Sequence, residues 1–161
     1  MYASLDELPV FSSLDRDQLS LLEPLLEFYS CRTGTTIIEQ GLPAEFIYIV
    51  KNGRVEIFYK PYDAPAITVT HIMPNGVFGW SAAIGSAVYS SSANAIEPVE
   101  AFRLRGSDLR KLCIDHPETG RIILDRLANI VSSRWTHAKD QVKSLLARGM
   151  DDDKEKKPAD K

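Results

Sequence analysis

Between Phe28 and Arg105 the chain is a succession of short apolar runs cut by turn formers, and this rhythm restricts the fold more than any other feature. The runs are Phe28–Cys31, Thr36–Ile38, Phe46–Val50, Val55–Tyr59, Ile67–Ile72 and Val99–Leu104. Between them lie Gly34, Gly41-Leu42-Pro43, Asn52-Gly53, Pro61, Pro65 and Pro74-Asn75-Gly76. Runs this short are strand-length rather than helix-length. Many of them with regular punctuation predict an antiparallel sandwich, roll or barrel rather than a parallel sheet. Lys51-Asn52-Gly53-Arg54 is the sharpest local signal. Asn-Gly between two such runs predicts a type I′ β-hairpin.

Helical patterns flank this zone. From Leu5 to Glu27, Asp15 and Gln18 form a capping box and Leu19, Leu22 and Leu26 recur at helical spacing. Pro24 interrupts the pattern and predicts a kink or two short helices. From Gly106 to Gly149 the pattern is helical again. Ser107 is placed to cap a short helix through Cys113, His116-Pro117 breaks it, and Pro117 opens a second helix that Gly149 ends. That helix would be about 45 Å long. Ile123, Leu127, Ile130, Arg134, Ala138 and Val142 give it a narrow seam, which predicts pairing with a second copy of the chain. Residues 1–149 thus read as one domain, and the Asp- and Lys-rich stretch 150–161 as a solvated tail.

The 161 residues are 44% apolar and 25% charged, ordinary for one globular domain. A net charge of −3 argues against nucleic-acid binding through bulk charge. No apolar stretch is long enough to predict a membrane span, and the N-terminus lacks the pattern of a secretion signal. Cys31 and Cys113 are far apart and sit in apolar patterns, so a disulfide or metal site is not expected and a reducing cytoplasm is. His71, His116 and His137 share no ligand spacing, and no serine has a nucleophile-elbow glycine pattern; no catalytic residue is predicted. Tyr59, Tyr62 and Tyr89 read as surface or rim residues.

The stretch Ile37-Ile38-Glu39-Gln40-Gly41-Leu42-Pro43-Ala44-Glu45-Phe46-Ile47-Tyr48-Ile49-Val50-Lys51-Asn52-Gly53 resembles the first signature of cyclic-nucleotide-binding domains. That signature has an apolar pair, a glycine turn, a small residue, four apolar residues and a second glycine. Leu42 departs from it, standing where the family usually has a small polar or acidic residue. The resemblance covers roughly Leu8 to Trp135. It implies a mainly β, α+β fold: an antiparallel, jelly-roll-like β-roll with an N-terminal helix and a long C-terminal dimerisation helix.

In the family, the phosphate-binding segment opens with apolar-Gly-Glu and a small residue and closes with Arg, a small residue and Ala. The glutamate takes the ribose hydroxyl and the arginine the cyclic phosphate. Here the segment reads Phe78-Gly79-Trp80-Ser81-Ala82-Ala83-Ile84 and later Ser91-Ser92-Ala93. The frame is kept, but Trp80 stands for the glutamate and Ser91 for the arginine. A neutral serine hydrogen bond is roughly half as strong as a charge-assisted arginine–phosphate contact. Losing about 1.5–3 kcal/mol weakens binding by roughly ten- to more than a hundredfold. Cyclic AMP is therefore expected to bind weakly or not at all by the usual mode.

The candidate ligand residues are Phe78, Gly79, Trp80, Ser81, Ala82, Ser91, Ser92 and Ala93, for a cyclic nucleotide or another small anionic or aromatic effector. The resemblance adds Arg134, Thr136 and His137 as C-helix contacts. The catabolite-activator-like relatives continue into a winged helix-turn-helix, for which little chain follows the long helix here, so direct DNA binding is not expected. Two readings stay open: a stand-alone sensor acting on a downstream protein, and a dimerisation or interaction module whose pocket Trp80 fills.

Overall fold

A computed structural model of the protein describes residues 8–131. Its strands are β1 (Leu26–Cys31), β2 (Thr36–Ile38), β3 (Phe46–Asn52), β4 (Val55–Tyr59), β5 (Ile67–Ile72), β6 (Val77–Phe78), β7 (Ser92–Ala95) and β8 (Val99–Arg105). The helices are α1 (Arg16–Leu22), α2 (Trp80–Ala83), α3 (Gly106–Asp115) and α4, which spans 117–131. Single 3-10 turns occupy Pro9–Phe11 and Glu23–Leu25. All strand pairings are antiparallel, in two four-stranded sheets ordered β1-β8-β3-β6 and β2-β7-β4-β5. This is the mainly β roll with flanking helices that the sequence implies.

The unbroken apolar run of β3 has a direct cause: both faces of its sheet are covered. Side chains alternate along a strand. Ile47 and Ile49 join Phe102 and Leu104 of β8 against Phe11, Leu22, Leu109, Ile123 and Leu127 of the helical layer. Phe46, Tyr48 and Val50 face the other sheet, where Val55, Ile57, Ala93 and Ala95 meet them. Each such burial stabilises the fold by about 1.5–3 kcal/mol for a large apolar side chain. Two layers of core thus share one sheet.

The Asn-Gly hairpin is not formed. β3 is flanked by β8 and β6, so neither of its edges is open to β4, which pairs instead with β5 and β7. Asn52-Gly53 is a corner carrying the chain from one sheet to the other. Gly53 has φ +95°, whereas Asn52 is not in the left-handed region that a type I′ turn needs at both positions. The local turn signal was real, but tertiary pairing decided what it joins.

Three further boundaries differ from expectation. The capping box exists: the Gln18 amide donates to Asp15 Oδ1 at 2.8 Å and the Asp15 amide to Gln18 Oε1 at 3.0 Å. However, α1 stops at Leu22, Pro24 lies in a 3-10 turn, and Leu26 and Glu27 already belong to β1, held by pairing with Leu104 and Arg103. Ser107 is not the cap of α3, which begins at Gly106 and runs past Cys113 to Asp115. The Gly106 amide is tied to the Glu45 carbonyl at 2.9 Å, and the helix starts two residues earlier than a Ser107 cap would give, with Arg105 in the cap position. His116 does break the helix and Pro117 does open the next.

Ile123 and Leu127, which the spacing places on a dimer seam, are fully buried in this chain's own core. Ile130 packs on the edge of the same core. Arg134, Ala138 and Val142 lie outside the described residues, as do the candidate contacts Arg134, Thr136 and His137 and the tail 150–161. Among the described residues no helix is long and apolar enough to cross a membrane.

Candidate functional site: an uncharged cavity under the serine segment

β6 delivers the site. Val77 and Phe78 pair with Ile49 and Tyr48 of β3, and the Phe78 ring lies parallel to Tyr48 with centroids 4.7 Å apart. The chain then turns at Gly79, φ +86°, where a Cβ would stand 2.7 Å from the Phe46 carbonyl oxygen. Left-handed geometry and backbone contact together require glycine here. α2 follows, with Ala82 and Ala83 buried beneath it.

Two contacts fasten α2 to α3. The Arg110 guanidinium donates to the Ala82 carbonyl at 2.6 Å, and Gly106 packs so closely on that carbonyl that any Cβ would overlap it. A charge-assisted bond to the last turn of a helix also complements the helix's negative end.

The loop over residues 84–91 returns across the roll and is clamped by Tyr89. Its hydroxyl donates to the Phe46 carbonyl at 2.7 Å and accepts from the Phe46 amide at 2.9 Å. The Tyr89 amide also donates to the Leu42 carbonyl, and the Gly41 amide to the Tyr89 carbonyl. Burial pushes the Tyr89 phenol up to about 12, partly opposed by the Phe46 backbone bond. Tyr89 is thus a buried structural clamp rather than a rim residue, a correction made by these bonds.

Between α2, this loop and the inner face of the second sheet lies a cavity of about 290 Å³. Ile38, Ile57, Ile72, Val77 and Phe78 form apolar walls, with Trp80, Ile84, Val88 and Val131 of α4 completing them. Thr70, Ser81, Ser86, Ser90, Ser91 and Tyr89 supply the polar lining. The Ser81 and Ser90 hydroxyl oxygens are 3.5 Å apart. Among the described residues, no lining residue carries a charge.

Phe78, Gly79, Trp80, Ser81 and Ser91 are brought together here, as the candidate list requires. Ala82, Ser92 and Ala93 do not line the cavity. Ala82 and Ala93 are fully buried in the core. The Ser92 hydroxyl accepts the Gln40 amide at 2.8 Å and belongs to an open groove lined by Gln40, Lys60 and Tyr62. Ser91 lies in the bend before β7, whereas Ser92 and Ala93 already belong to the strand. Trp80 stands on the cavity wall and also packs against the helical core.

The lining residues that were not among the candidates include Ile38, Ile57, Ile72 and Tyr89. Strand periodicity marks the isoleucines as inward-facing, but nothing in the sequence separates cavity-facing from core-facing positions. Elsewhere, Arg103 lies 4.0 Å from the Phe46 ring centroid and 3.0 Å from Glu27, away from the cavity lining. Burial lowers the affinity of Arg103 for its proton, but Tyr48 and Glu27 outweigh this and hold it charged. No group of three or more metal-ligating side chains is found among the described residues.

Comparison with known proteins agrees with this architecture. The chain is 23% identical over 137 residues, 85% of its length, to a CRP-like cAMP-activated global transcriptional regulator of Mycobacterium tuberculosis, and spans 59% of that regulator. Among solved structures it is similar to one assigned as a cyclic nucleotide-binding protein of Geobacter metallireducens, with TM-score 0.72 and 29% identity, covering 81% of this chain and 95% of that one. It is also similar in fold to the regulatory subunit of a cAMP-independent protein kinase A from Trypanosoma brucei, as a triple variant bound to cAMP in its A site. That match has TM-score 0.69 and 18% identity, and covers 86% of this chain and 48% of that one. The pattern of the cyclic nucleotide-binding domain family matches residues 29–116, more than half of the sequence. The chain belongs to the cyclic nucleotide-binding domain family.

Proposed function

We propose that this chain is a regulatory sensor module in which a small effector occupies the β-roll cavity and cyclic AMP does not serve as a tight ligand. The observation that carries this reading is the cavity itself: it stays open with Trp80 on its wall, and Trp80 and Ser91 stand where the family's two charged ligands would be. Occupancy would be passed from α2 to α3 through Arg110 and Gly106, and onward along α4. Such coupling requires the effector to bind one arrangement of α2 more tightly than another.

Two of the proteins named above are a transcriptional regulator and a kinase regulatory subunit, which supports a regulatory role. The trypanosomal regulatory subunit belongs to a cAMP-independent protein kinase A, while its triple variant is bound to cAMP in the A site. That contrast supports the idea that a few residues in this fold decide whether the cyclic nucleotide is held. We further propose that the module acts in the cytoplasm as a homodimer, paired through the chain beyond Val131, and signals to a protein partner.

Trp80 also packs against the helical core, and this favours a second reading: an interaction module in which Trp80 has only a structural role. Titrating Trp80 fluorescence with cyclic AMP, cyclic GMP and a metabolite panel separates the two. A saturable change lost in Trp80→Phe supports the sensor. Silence across the panel supports the interaction module.

A further inference from the structure

We infer that the effector is an uncharged molecule with an apolar body and one hydrogen-bonding edge. This rests on the sensor reading above and adds the chemical class that the site accepts.

The cavity's charge balance carries the inference. Among the described residues no lining side chain is charged, and the neighbouring guanidinium, Arg110, is committed to the Ala82 carbonyl at 2.6 Å. An anion entering would surrender its hydration with no cation to replace it, and burying an unpaired charge is strongly unfavourable. A cation would fare no better, since among the described residues no carboxylate lines the walls. The effector is therefore excluded by sign in both directions.

Apart from Thr70 of β5, the polar side chains of the lining lie in one segment, residues 81–91. Ser81 and Ser90 approach each other at 3.5 Å, and the Ser86 and Ser91 hydroxyls have no partner among the described residues. These hydroxyls offer both donors and acceptors, which suits an alcohol, amide or carbonyl edge. The remaining walls are aliphatic and aromatic. A predominantly apolar cavity with a few convergent polar groups is the usual form of a small-molecule site, and about 290 Å³ lies near the lower end of the range for such sites. A compact ring system or a short branched body fits this description.

Two probes of one shape and opposite charge state test the inference: 2-naphthamide and 2-naphthoate, titrated into the full chain. Amide chemical shifts of Ser81, Ser90 and Ser91 report where each binds. The expected result is saturable shifts at these residues with the naphthamide, at least tenfold tighter than with the naphthoate, and a narrowed or reversed preference in Ser91→Arg. Equal or tighter binding of the naphthoate at the same residues overturns the uncharged class while keeping the sensor reading. If that preference disappears in Arg134→Ala, the compensating charge comes from the chain after Val131, and the inference fails for that reason. No shift at these residues with either probe overturns the sensor reading together with the class drawn from it.

Discussion

Tyr89 holds the loop over the cavity with one oxygen. Its hydroxyl serves both the amide and the carbonyl of Phe46, and both bonds are buried. Tyr89→Phe would leave two backbone groups without partners, at a cost of about 1–3 kcal/mol. Urea unfolding should show that loss, and a change below about 0.5 kcal/mol would contradict the clamp. Its raised proton affinity has a signed consequence. A phenol whose folded value lies above the ordinary one of about 10 stabilises the fold below that pH and loses the contribution as pH rises towards about 12. Burial raises Tyr29 and Tyr48 as well, so the effects reinforce one another. Stability should fall across this alkaline window in the wild type, and less steeply in Tyr89→Phe. A flat profile to pH 12 would refute the burial argument. None of this was legible in the sequence, where Tyr89 stands in a serine-rich stretch without periodicity. Trp80 and Ser91 were legible, because their meaning lies in residue type at a fixed offset from Gly79 and Ala93.

Three of the eight strands, β2, β4 and β5, coincide with the runs read from the sequence, and three more, β1, β3 and β8, lie within two residues of them. Period-two burial and punctuation by turn residues are local properties and survive folding. β6 and β7 escaped because their order comes from neighbours: β6 is two residues against β3, and β7 is Ser-Ala-Asn-Ala between β2 and β4. The partner of β3 was likewise undetermined by a turn signal that only says the chain reverses. Coupling between elements was equally hidden. Gly106 reads as an ordinary helix-start residue, yet it lets α3 touch the Ala82 carbonyl. Gly106→Ala should destabilise the protein by about 1–3 kcal/mol through overpacking and separate α2 from α3. Hydrogen exchange should then accelerate at the Ile84 and Ser86 amides, which bond back to Trp80 and Ser81. Unchanged exchange there would mean that α2 is not held through α3.

For the whole molecule, the described seam residues of the long helix serve the chain's own core, and any pairing falls to those beyond them. Ile123 and Leu127 fill the chain's own core, so Ile123→Asp should abolish folding rather than merely prevent pairing. Val142→Asp, on the predicted seam beyond the described residues, should leave a folded protein that sediments as a monomer at micromolar concentration, where the wild type sediments as a dimer. A wild-type monomer, or a dimer unaffected by Val142→Asp, would remove helix pairing from the account. The 3.6-residue period marks one apolar stripe but does not separate residues that fill the chain's own core from residues proposed to meet a second copy.

On the proposed reading, this family member keeps the frame of the cradle without the charges that hold a cyclic nucleotide. Calorimetric titration of cyclic AMP into the wild type, Ser91→Arg and Trp80→Glu/Ser91→Arg decides it. No saturable binding by the wild type is expected below about millimolar concentration, and at least tenfold tighter binding once the arginine is restored, about 1.4 kcal/mol for each factor of ten. Low-micromolar binding by the wild-type chain, undiminished when Ser91 is changed, would contradict it.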